Sequence, residues 1–83
     1  MSPEKLAYMA NQIGRFFASQ PHGRSVAGIE DHIIKFWDPR MRKTLLDNLD
    51  HVQLDPPVRE AAERLQRSAA QPSGSAQASG NAA

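Results

Sequence analysis

His22, His32 and His51 are the side chains in this 83-residue sequence best suited to holding a metal or moving a proton. Their spacing argues against both roles. No two stand at the i, i+4 separation that places a pair of imidazoles on one helical face. Asp31 and His32 are sequence neighbours, so on a helix they project about 100° apart. His22 falls in a Gln20-Pro21-His22-Gly23 break. The sequence contains no cysteine, which leaves no thiolate for zinc, an iron–sulfur cluster or a disulfide. The serines lack a nucleophile-elbow context, no glycine-rich phosphate loop is visible, and the carboxylates sit at expected helix starts or on solvated faces. Catalysis, metal binding or cofactor binding by this chain is therefore not expected.

Recognition chemistry is better represented. Tryptophan, tyrosine and arginine concentrate where interface energy concentrates. The single tryptophan, Trp37, is followed closely by Arg40, Arg42 and Lys43. Two readings of that cluster are compatible: an indole closing one end of a core, and an indole edge offered with a basic patch to acidic side chains of another protein. Tyr8 lies nearly opposite the apolar stripe of its helix and is expected to be exposed. Ile34 falls about 90–100° from the centre of its own stripe, widening it toward a neighbouring helix or toward a partner. Gly14, mid-helix, costs about 1 kcal/mol relative to alanine, and a close backbone approach would account for it. With Arg15 beside it, the candidate partner contacts are Tyr8, Gly14, Arg15, Ile34, Trp37, Arg40, Arg42 and Lys43.

The elements that would carry these residues are helices. Ser2-Pro3-Glu4 reads as a helix start, with a capping hydroxyl, proline in the first turn and an acid at the positive end of the dipole. Leu6, Met9, Ile13, Phe16 and Phe17 then follow as one face. Ser25 is expected to cap a second helix with Val26, Ile29, Ile33, Phe36 and Trp37 inward. The two runs share a spacing that aligns Arg15 with Lys35, Phe16 with Phe36 and Phe17 with Trp37, and predicts an antiparallel hairpin. Asp38-Pro39 starts a third helix burying Met41, Leu45, Leu49 and Val52, with Leu46 at its margin. Asp55-Pro56-Pro57 starts a fourth, with Val58, Ala61, Ala62, Leu65 and Ala69 on one face. Arg59–Glu63, Glu60–Arg64 and Glu63–Arg67 have i, i+4 spacing on its outer side, each pair worth about 0.2–0.5 kcal/mol. The fold class is all-α, a small bundle of three to four short helices.

Residues 68–83 are Ser, Ala, Gly, Gln, Asn and one Pro, with no charge and no large apolar side chain. The expected division is a helical domain over 1–67 and a disordered low-complexity tail over 68–83. A domain that short buries only roughly 60% of its unfolded surface, so a stable partner would supply missing burial. A net charge of +1 gives no footprint for nucleic acid. No apolar run approaches the roughly 20 residues of a membrane span, and the N-terminus lacks a secretory layout. A cytoplasmic protein is expected.

Several segments together resemble one family. Ser2-Pro3-Glu4-Lys5-Leu6, Met9-Ala10-Asn11-Gln12-Ile13, Phe36-Trp37-Asp38-Pro39-Arg40-Met41-Arg42 and Leu54-Asp55-Pro56 with Val58-Arg59-Glu60-Ala61 are similar to the delta subunit of bacterial NAD-dependent formate dehydrogenases containing molybdenum or tungsten. The resemblance spans residues 2–60. It implies a non-catalytic, cofactor-free accessory subunit that binds the large catalytic subunit of the complex. Through that subunit it would join an assembly carrying a molybdenum or tungsten bis-pterin, iron–sulfur clusters, FMN and NAD. Two alternatives remain at this point: a transient chaperone for molybdopterin insertion, and a helix-turn-helix regulator with Arg40, Arg42 and Lys43 opening its recognition helix.

Overall fold

The computed structural model describes residues 1–70, as four α-helices and one short 3-10 turn with no strand among them. They are α1 (Pro3–Phe16), α2 (His22–Phe36), α3 (Pro39–Leu46), the 3-10 turn Leu49–His51 and α4 (Pro56–Ala70). The all-α expectation holds. The fourth helix runs past the expected domain limit at residue 67, and residues 71–83 of the expected tail lie outside the described residues.

Two of the expected starts form as read. The Ser2 hydroxyl accepts from the Lys5 amide at 3.1 Å, and the Asp38 carboxylate accepts from the Met41 amide at 2.8 Å. Both contacts satisfy donors that the first helical turn leaves open. The second helix differs from expectation. It begins at His22, with Pro21 at the cap and the Ser25 amide donating to the Pro21 carbonyl at 2.9 Å. Ser25 is buried inside the helix, and its hydroxyl donates to the Phe17 carbonyl at 2.6 Å. It ties the end of α1 to α2 rather than capping anything.

The third helix also stops earlier than its apolar spacing suggests. It ends at Leu46, and the Asn48 amide nitrogen turns back to the Thr44 carbonyl at 2.8 Å. Such side-chain bonds compete with helix continuation. The carbonyls of Leu49 and Val52 are then taken by the half-buried Arg59 guanidinium at 3.2 and 2.9 Å. Leu49 and Val52 still reach the core, from a turn and an extended segment.

Leu6, Val26, Ile29, Ile33, Leu45 and Val58 are the largest fully buried side chains. Each contributes about 1.5–3 kcal/mol against exposure, so they outweigh the alanines packed among them. The inward stripe of α1 is rotated from the expected one: Leu6, Ala7, Ala10 and Gly14 are buried, Met9 and Ile13 only partly. Small residues there let α4 come close. A Cβ on Gly14 would strike Val58 Cγ2 and lie 3.8 Å from Ile29 Cδ1. Asn11 pins the approach of the chain to α4, donating to the Gln53 carbonyl at 3.1 Å and accepting from the Asp55 amide at 3.0 Å.

Candidate functional site

Once the helices are placed, the eight candidate contacts divide. Trp37 is buried at 6% exposure and belongs to the core, so its ring is not a free interface element. The extended backbone at Trp37 (ψ 139°), leading into the Asp38 cap, allows one of two adjacent aromatics to turn inward. Phe36 takes the outward place, at 71% exposure, stacked obliquely on His32 with ring centroids 4.7 Å apart. At the other end of the hairpin the same division recurs. Phe17 is half-buried with its ring over Gly28, where a Cβ would lie 2.8 Å from Phe17 Cδ1. Phe16 points out at 80% exposure, edge-on to Phe17. The expectation that Phe16 and Phe36 face inward is thus corrected for both.

Gly14 is likewise buried, and the close approach it permits within the chain is that of α4. Tyr8, at 63%, is exposed as expected, and Arg15 lies on the same outer side of α1. Arg40 borders a separate recess with Met1, Leu6, Asp38, Met41 and Thr44.

Ile34, Arg42 and Lys43 are brought together. Ile34 is 52% exposed at the last turn of α2 and does not join the core. It lines a recess of about 300 Å³ with Arg42, Leu46, Leu65, Ser68 and Ala69. A second recess, about 420 Å³, shares Arg42, Leu46 and Ala69 and adds Pro39, Lys43, Asp47 and Gln66. The two form one groove bordered by α2, α3 and the second half of α4. Gln66 spans its base, donating to the Leu46 carbonyl at 3.0 Å. Lys43 is paired with Asp47 at 2.7 Å in an exposed i, i+4 contact. Arg42 donates to the Ile34 carbonyl at 3.4 Å, a long bond, and no carboxylate pairs with it among the described residues.

The charges of α4 are arranged differently from expectation. None of the three i, i+4 pairs predicted along it forms among the described residues; Glu60 and Arg64 reach α2 instead, and Arg59 turns to the Leu49 and Val52 carbonyls. Glu60 meets His22 at 2.8 Å, and Arg64 meets Glu30 at 3.0 Å. These contacts show α2 and α4 running in the same direction. The hydrogen bond from His22 holds the Glu60 carboxyl below its ordinary value; desolvation opposes it, and the charges of His22, Arg64 and Arg67 add to the lowering. The His22–Glu60 pair is exposed and the Arg64–Glu30 pair is half-exposed, with Glu30 the more covered partner, which limits their contribution to stability.

Among the described residues no group of three or more His, Asp or Glu is placed to hold a metal ion, and no helix is long and apolar enough to cross a membrane. Sequence reasoning missed the groove floor. The apolar spacing puts Ala69 on a buried face, whereas Ala69 is exposed; Leu46, marginal as expected, is buried at 8% exposure and lines both recesses. The only sequence signal for this was the thinning of large apolar residues after Leu65.

What these features define is a small helical domain whose distinguishing features are surfaces: an amphipathic groove and outward aromatic rings. The family model for the NADH-dependent formate dehydrogenase delta subunit, FdsD, matches residues 5–62, and the chain belongs to that family. No curated protein and no solved structure matched the chain.

Proposed function

We propose that this chain is a non-catalytic accessory subunit that binds the large catalytic subunit of an NAD-dependent formate dehydrogenase and stabilises or helps assemble the complex. Membership of the delta-subunit family carries this reading. It is supported by large apolar side chains left on the outside of a domain too small to bury them, namely Tyr8, Phe16, Ile34 and Phe36. In this reading the molybdenum or tungsten bis-pterin, the iron–sulfur clusters, FMN and NAD are all held by other subunits in the cytoplasm. A protein that binds only the folded, loaded partner stabilises it by mass action, by about 2.7 kcal/mol at a hundredfold excess over Kd.

The test is deletion of this chain from cells making the complex, followed by purification, metal analysis and formate oxidation over time. Lower yield or metal content, with the same reaction performed, is expected. Full activity and full metal loading persisting without the chain would refute the proposal. Tagged purification separates residence from transit: fixed stoichiometry marks a resident subunit, and capture of only the metal-free partner marks an assembly chaperone.

A further inference from the structure

The groove between α2, α3 and the second half of α4 has the composition of a docking site for one particular kind of segment. Its floor is apolar, from Ile34, Leu46, Leu65 and Ala69, and its rim carries the Arg42 guanidinium. A guanidinium presents five N–H donors in a planar fork suited to bidentate carboxylate recognition. Arg42 uses one of them, weakly, on the Ile34 carbonyl. The neighbouring acid Asp47 is engaged with Lys43, and Glu30 with Arg64. Residues 71–83 contain no acidic side chain. Among the described residues no carboxylate pairs with Arg42, so its fork is open to a carboxylate brought by another chain.

We infer that this groove receives a segment of a partner subunit that places a bulky apolar side chain over Leu46 and Ala69 and a carboxylate on Arg42. The inference rests on the accessory-subunit reading above and specifies which face is used and what the partner presents. Tyr8, Arg15 and Phe16, on the outer side of α1, lie outside this contact. Covering the apolar floor excludes water from around the Arg42–carboxylate pair, which strengthens it relative to an exposed pair.

The test uses the full chain, immobilised, with formate dehydrogenase complex isolated from cells lacking this chain as the probe. Wild type, Arg42→Glu, Ile34→Lys and Phe16→Ser are compared, and far-UV circular dichroism establishes that each is folded. Ile34 is exposed and outside the core, so Ile34→Lys keeps the test open if Arg42→Glu fails to fold. Arg42→Glu and Ile34→Lys are expected to weaken binding by roughly 30-fold or more, the scale for losing a desolvated charge contact. Phe16→Ser is expected to stay within about twofold, the scale of a change outside the contact. If the folded groove variants bind as wild type does, and Phe16→Ser loses binding, the groove assignment is overturned while the accessory-subunit reading stands. If wild type itself does not bind, both fall.

Discussion

The two halves of α4 do different things. Its first half carries Val58, Ala61 and Ala62, all fully buried against small residues of α1 and the face of α2. Its second half carries Leu65, still buried, then Ser68 and Ala69 on the open groove. Both halves are built from alanine and one larger aliphatic residue, so composition does not separate them. The difference lies in what stands opposite. Gly14 lets α1 meet the first half directly, whereas α3 ends at Leu46 and leaves the second half partly uncovered. One helix thereby holds the fold at one end and presents a surface at the other.

The most severe way to break this division is to fill the seam. Gly14→Leu forces a side chain into Val58 and should cost about 3 kcal/mol, read as a large fall in thermal midpoint by circular dichroism. A small change would mean that α1 and α4 are not in close contact. Arg59→Met comes next. It removes the donor to the Leu49 and Val52 carbonyls and should destabilise by about 1–3 kcal/mol in a urea titration.

These two residues also show how much the sequence disclosed. The helix starts at Ser2 and Asp38 were legible because caps are local chemistry, decided within three residues. The helical periods were legible for the same reason. The rotation of α1 toward Ala7, Ala10 and Gly14 was not, because it depends on the approach of α4, more than forty positions along the chain. The true roles of Arg59 and Ser25 are hidden for the same reason, since their partners, the Leu49 and Val52 carbonyls and the Phe17 carbonyl, lie outside their own helices. Of the candidate surface, Ile34 and Arg42 were identifiable from their off-stripe position and charge, but their meeting in one groove depends on where α3 stops. Asn11 and Trp37, inside the segments that carry the family resemblance, turn out to serve the fold through a loop clamp and a buried ring. The resemblance therefore records internal packing as well as any partner contact.

At the groove the comparison predicts the opposite of the seam. Ile34→Lys should change folding stability by no more than about 0.5 kcal/mol, measured by the same urea titration, because its side chain contributes little to the core. A loss as large as that for Gly14→Leu would place Ile34 in the core. The smallest effect concerns Glu60, whose lowered titration adds stability that is complete above its ordinary value of 4.5 and is lost as pH falls through the lowered value. Glu60→Gln should slightly flatten the acid limb of a stability–pH profile and leave neutral stability almost unchanged. An unchanged acid limb would remove Glu60 from the linkage between α2 and α4.

Hydrogen exchange followed by mass spectrometry, on the full chain alone and in complex with formate dehydrogenase, tests the central claim most directly. Amides at 58–62 should exchange slowly in both states, because the seam is already closed. Amides at 33–36, 42–46 and 65–69 should gain protection on binding, as the groove is covered. Protection gained along residues 8–16, with the groove segments unchanged, would contradict the account.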